Sequence, residues 1–116
     1  MSEKIIIFHN PQCSKSRESL EILQNSSCEF EVVEYLKQPL KKSQLKKVIK
    51  LLRIRSQDLI RKSEEIYKSE FKGKDLTESE WLEAMIKFPK LIERPILIKG
   101  KKAIIGRPPS LVLELL

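Results

Sequence analysis

Lys4-Ile5-Ile6-Ile7-Phe8-His9-Asn10-Pro11-Gln12-Cys13-Ser14-Lys15-Ser16-Arg17 is the stretch on which the fold turns. It opens with β-branched and aromatic residues from Lys4 to Phe8, the composition of a buried strand, and Asn10-Pro11 closes the run as a turn. From about Ser14 to Ser26 the background is polar, with Leu20 and Leu23 on one side, which predicts a helix. Phe30 to Tyr35 reads as a second strand, so the chain opens β-α-β. Such crossovers are right-handed and normally make a parallel pair.

Working outward, Pro39 closes that unit, and Leu45, Val48, Ile49 and Leu52 then recur at i, i+3, i+4 and i+7. Lys42, Lys46, Lys47 and Lys50 fill the rest of the circumference, the pattern of an amphipathic helix with a solvated basic face that also includes Lys41. Leu59 and Ile60 predict a further short helical turn, while Glu64 to Lys74 is polar and carries no clear period. Thr77 with Glu80 fits a capping box opening a helix whose Leu82, Met85 and Ile86 face inward, and Pro89 stops it. Ile96 to Ile98 and Ala103 to Ile105, separated by Lys99-Gly100-Lys101-Lys102, predict an antiparallel hairpin. Pro108-Pro109 then suits the start of a closing helix carrying Leu111, Val112 and Leu115. The order β-α-β, several helices, β-β-α predicts an α/β thioredoxin-like fold: a four-stranded mixed sheet flanked by helices, with a helical insertion in the middle.

The chain has 116 residues, and at roughly 150 per domain this predicts one domain over 1–116. With 41% hydrophobic and 34% charged residues it can bury a core and is not a disordered tail. Its net charge of +7 favours an anionic partner. Aromatics are only 6% and no DNA- or RNA-reading motif is present, so nucleic acid is not the expected partner. No apolar run approaches the ~20 residues of a membrane helix, and Met1-Ser2-Glu3-Lys4 resembles no secretory leader, so a cytoplasmic location without membrane association is expected. Two cysteines, Cys13 and Cys28, and one histidine, His9, cannot furnish a four-ligand structural zinc site, so no metal is expected.

Cys13 falls just after the first strand and at the start of the first helix. Unpaired backbone N–H groups and the positive end of the helix dipole stabilise an anion there, and a thiolate is such an anion. An unperturbed thiol with a pKa of ~8.5 is only a few per cent ionised near neutrality, whereas a helix mouth with nearby cations can bring it to between ~3.5 and 7.5. Lys15 and Arg17 supply charge, Ser14 and Ser16 hydroxyls, and His9 and Asn10 lie just upstream. Cys13-Ser14-Lys15-Ser16 is C-x-x-S, so no resolving thiol lies beside the nucleophile. Cys28 is separated from Cys13 by a helix, which places the two sulfurs beyond disulfide reach.

His9-Asn10-Pro11-Gln12-Cys13-Ser14-Lys15-Ser16-Arg17 resembles the active-site motif H-N-P-x-C-x-x-S-R of the glutaredoxin-coupled arsenate reductases, a thioredoxin-fold family with a helical insertion. The resemblance continues in order through Tyr35-Leu36-Lys37-Gln38-Pro39, Leu59-Ile60-Arg61-Lys62, Glu93-Arg94-Pro95-Ile96 and Gly106-Arg107-Pro108-Pro109, and is strongest to the shorter, YfgD-like branch. It implies Cys13 as the nucleophile, His9 lowering its pKa, Ser16 beside it, and Asn10 and Arg17 in support. It also implies that Arg61, Arg94 and Arg107 hold the oxyanion. Guanidinium forks match tetrahedral oxyanions with paired hydrogen bonds that lysine cannot make. Pro95 stands where thioredoxin-like folds carry a cis-proline at the start of the third strand.

The implied reaction is attack of the Cys13 thiolate on arsenate, displacement of a second oxygen by glutathione, and release of arsenite after reduction by glutaredoxin. No bound cofactor is then needed, because glutathione, as co-substrate, and glutaredoxin carry the electrons. Two other readings share the fold. An Spx-type regulator binding RNA polymerase usually has C-x-x-C where this chain has Ser16. A monothiol, glutathione-linked oxidoreductase would keep the chemistry and change the substrate.

Overall fold

The computed structural model describes residues 4–116, so Met1-Ser2-Glu3, on which the expectation about a leader rests, lie outside the described residues. Two compact units emerge: Met1–Gln38 with Arg94–Leu116, and Pro39–Glu93.

In the first unit the triple isoleucine becomes strand β1, Ile5–Phe8, followed by helix α1, Ser14–Gln24, and strand β2, Phe30–Val33. After residue 93 come β3, Ile96–Lys99, and β4, Lys102–Ile105. The sheet order is β2-β1-β3-β4, with β1 parallel to β2 and antiparallel to β3, and β3 antiparallel to β4. This is the expected mixed sheet. Because side chains alternate across a strand, Ile5 and Ile7 share a face, and Leu97, opposite Ile7, joins them. Ile5, Ile7, Leu23, Leu97, Val112 and Leu115 form one buried cluster, against which Leu20, Ile22, Cys28, Phe30 and Ile104 pack.

Three details of this unit differ from expectation. Strand β2 stops at Val33, and Tyr35 lies beyond it, buried, in the turn that follows. The hairpin ladder includes Lys99 opposite Lys102, which leaves only Gly100 and Lys101 in the loop. Gly100 takes φ of 59°, a left-handed conformation that costs glycine nothing. The closing segment, Pro109–Leu115, is a 3-10 helix with proline at its first turn. The Arg94–Pro95 and Arg107–Pro108 peptide bonds are both cis.

The second unit holds α2, Lys42–Leu52, which buries Leu45, Val48 and Ile49 and ends on Arg53 in the left-handed region at φ 58°. Lys42 of its basic face reaches Glu83 at 2.9 Å and Ser79 at 3.1 Å. A 3-10 turn follows at Ser56–Leu59 and includes Leu59 of the expected turn, whereas Ile60 lies outside it, extended and bridged antiparallel to Ile92. The segment without a period contains one π-helical turn, Tyr67–Phe71. Helix α3, Glu78–Lys87, opens with the expected capping box: Glu80 N–H donates to Thr77 Oγ1 at 3.2 Å and Thr77 N–H to Glu80 Oε1 at 2.9 Å. Its apolar face is rotated from the expected one. Leu82 and Met85 are buried with Trp81 and Ala84, whereas Ile86 is only half-buried. The Trp81 ring, 5.9 Å from that of Phe71, takes the inward position and draws the stripe with it.

Candidate active site

The loop between β1 and α1 is tied to itself before it meets anything else. Asn10 Oδ1 accepts from Gln12 N–H at 3.0 Å, and the Asn10 carbonyl accepts from Cys13 N–H at 3.0 Å. Short Asx side chains make such turns by standing in for backbone. Arg17, one turn into α1, donates to the Pro11 carbonyl at 2.9 Å and pins the loop from outside. Asn10 N–H donates to Ser16 Oγ at 3.0 Å, and the same hydroxyl is paired with His9 Nδ1 at 2.6 Å. His9, Asn10 and Ser16 are all buried. The Ser16 hydroxyl on the inner face of α1 is thus satisfied by the loop that precedes it.

Cys13 is the N-cap residue of α1, in extended conformation at φ −98° and ψ 123°. Its thiol is buried and not in a disulfide. Arg107 donates through Nη2 to Cys13 Sγ at 3.5 Å, and its Nε donates to the Arg94 carbonyl at 2.7 Å. Arg94, also buried, directs its side chain to the same sulfur. Burial on its own pushes the thiol pKa up. Against it act the Ser16 N–H, the Arg94 side chain, the Lys15 N–H and the charge of Arg107, which together hold Cys13 below its ordinary value. The helix mouth and two guanidinium groups therefore favour the thiolate.

His9 sits at the other end of this arrangement. Burial pushes its pKa below the usual imidazole value; Glu34 opposes that shift and Arg17 adds to it. The ring is therefore neutral near pH 7, and its link to the sulfur runs through Ser16, whose hydroxyl it meets and whose N–H acts on Cys13.

Of the residues named from sequence, the first unit brings together Cys13, His9, Asn10, Ser16, Arg17, Arg94 and Arg107, with Pro95 next to Arg94. Arg61 belongs to the second unit, where its Nε lies 3.4 Å from Glu64 Oε1 and its Nη1 donates to Glu93 Oε1 at 3.2 Å. Sequence reading passed over the Lys15 and Ser16 N–H groups as individual donors and Glu34 as a charge acting on His9. The signal for the first was already present, since any residue at a helix N-cap faces N–H groups two and three positions on. Nothing local marks Glu34.

Cys28 lies past the end of α1, half-buried, with its sulfur 2.8 Å from Ser26 Oγ. No described helix is long and apolar enough to cross a membrane, and the described residues hold no cluster of three or more His, Cys, Asp or Glu suited to a metal ion.

The profile of the ArsC family matches residues 8–115. The chain is 43% identical over 117 residues to the Escherichia coli K12 protein designated YfgD, covering 99% of this chain and 98% of that one. It is 42% identical over 114 residues to a Haemophilus influenzae protein named arsenate reductase, covering 97% and 98% respectively. A solved structure named arsenate reductase, from Vibrio cholerae, superposes with a TM-score of 0.93 at 38% identity over all of both chains.

Proposed function

The chain belongs to the ArsC family, and from that premise we propose that it is a thiol-dependent arsenate reductase whose nucleophile is Cys13. The observation that carries this reading is the convergence of Arg94, Arg107 and the mouth of α1 on one sulfur, which is thereby held below its ordinary pKa. An arsenate oxyanion brings negative charge and tetrahedral oxygens to guanidinium groups already set for both. The Cys13 thiolate attacks arsenic and an oxygen leaves as water, forming a sulfur–arsenic(V) bond. Arg94 and Arg107 hold the remaining oxygens, and their fixed charge costs no reorganisation as negative charge shifts on to the arsenate. Glutathione displaces a second oxygen. A glutaredoxin thiol then attacks the glutathione sulfur, two electrons pass to arsenic, and arsenite leaves Cys13 on hydrolysis. The C-x-x-S sequence supports an external thiol, since no second cysteine stands beside Cys13.

His9 and Ser16 are positioning residues in this scheme, holding the α1 N–H groups against the sulfur; Asn10 and Arg17 shape the loop, and Pro95 links Arg94 to the start of β3. Arg61 is assigned to arsenate binding on its motif alone. The whole reading treats residues 1–116 as one arsenate reductase domain working in the cytoplasm.

The test is an NADPH-linked assay with glutathione, glutathione reductase and glutaredoxin, and arsenate as acceptor. Wild type turns over and Cys13→Ser does not. Arsenate-dependent oxidation that survives Cys13→Ser removes the proposed nucleophile. Turnover of a glutathionylated peptide but not of arsenate shifts the substrate to protein mixed disulfides.

A further inference from the structure

Gly106 is buried where β4 ends, immediately before Arg107. A Cβ placed on it would lie 2.6 Å from Ser19 Oγ of α1 and 2.8 Å from Pro95 Cγ, with Leu97 Cδ1 at 3.5 Å. The first two separations are shorter than any carbon side chain tolerates. Its need for glycine is steric, the close approach of a helix, a proline ring and a strand end.

What converges there is the frame of the site. Gly106 N–H donates to the Pro95 carbonyl at 2.9 Å, and one residue further Arg107 Nε donates to the Arg94 carbonyl at 2.7 Å. Ser19 stands on the same helix whose N-terminus carries Cys13, and is fully buried. Its Oγ has no hydrogen-bond partner among the described residues, so no polar contact holds the helix at that point.

We infer that Gly106 is a positioning residue for the Cys13 thiolate: its missing side chain lets α1 seat against Pro95 closely enough for Arg94 and Arg107 to act on the sulfur. The inference rests on the reading of Cys13 as nucleophile. A methyl group at 106 meets two obstacles of different stiffness. The Ser19 hydroxyl, fully buried, can give way only in part and the Pro95 ring not at all, so the displacement is shared between α1 and Pro95, with Arg94 beside it. Charge-assisted contacts weaken steeply with distance and angle. Burial then regains its hold on the thiol.

The experiment measures the pH dependence of Cys13 alkylation by iodoacetamide, read by mass spectrometry so that Cys28 is counted separately, alongside kcat/KM for arsenate. In Gly106→Ala the Cys13 pKa rises by about one unit, leaving about tenfold less thiolate below it. Accordingly kcat/KM falls about tenfold at pH values below the wild-type Cys13 pKa and approaches wild type at higher pH. Adding Ser19→Ala removes the nearer obstacle and recovers part of the shift, whereas a purely structural glycine gives no such recovery of the titration. An unchanged Cys13 titration in Gly106→Ala overturns the inference, whether or not activity is lost. If Gly106→Ala fails to fold by circular dichroism, Ser19→Thr crowds the same seam from the helix side, and a wild-type titration in that variant overturns it equally. A raised Cys13 pKa in a protein whose wild type reduces no arsenate supports the positioning role and removes the proposed substrate.

Discussion

Arg94 and Arg107 reach one sulfur by different routes, and their substitutions separate charge from geometry. Arg107→Lys keeps the positive charge but loses the fork that spans Cys13 Sγ and the Arg94 carbonyl. A hydrogen bond to a charged group contributes about 1.5–3 kcal/mol, so KM for arsenate is expected to rise about ten- to a hundredfold while Cys13 alkylation changes little. Arg107→Ala removes the charge too, and there alkylation slows at neutral pH as well. The pH profile has a definite sign. Since Cys13 is held below its ordinary value, kcat/KM of wild type climbs with pH through an apparent pKa below that of a free thiol. The same depression stabilises the fold: its contribution is complete above the unfolded thiol pKa and is lost as pH falls through the folded one. His9 adds to the loss on acidification. Its folded pKa is lowered, so below the ordinary imidazole value of about 6.5 the unfolded chain binds the extra proton and stability falls. Urea midpoints between neutral and mildly acidic pH check this, with His9→Gln flattening the His-dependent part.

At the scale of elements, two kinds of helix end carry different weight. Thr77→Ala removes a cap from the exposed start of α3 and is expected to cost about 1 kcal/mol in urea unfolding, with the Cys13 titration unmoved. Leu23→Ala instead opens the cluster of Ile5, Ile7 and Leu97 beneath α1 and costs about 2–5 kcal/mol. The cap was legible because Thr77-x-x-Glu80 is a local device, and α2 because Leu45, Val48 and Ile49 repeat at helical spacing. Helix α1 was legible at its boundaries but not in what it buries. Its inner face carries Ser16 and Ser19 with Leu23, and buried serines leave no hydrophobic period. The π turn at Tyr67–Phe71 left no mark either, since one irregular turn has no repeat to display. Ile86 is only half-buried for a related reason: spacing marks a stripe, but the bulk of Trp81 decides which side of it faces in.

For the molecule as a whole, the opening strand, its parallel partner and the closing hairpin followed from pattern, yet the site did not. Cys13 lies far along the chain from Arg94 and Arg107, and only the pairing of β1 with β3 and of β3 with β4 brings them to one end of the sheet. Register of that kind is a long-range property, and here the family resemblance supplied what local chemistry lacked. Net charge needs no register, and +7 makes a testable claim about approach. An arsenate anion is drawn toward a positive protein from within about one Debye length, which shrinks from ~30 Å at 0.01 M ionic strength to ~10 Å at 0.1 M. Over that range kcat/KM for arsenate is expected to fall severalfold while kcat holds, because salt screens encounter and not the bound complex. Iodoacetamide, being neutral, gives the control. If its reaction with Cys13 slows with salt as much as arsenate turnover does, the ions are acting on the thiolate itself, and the protein's charge plays no part in gathering its substrate.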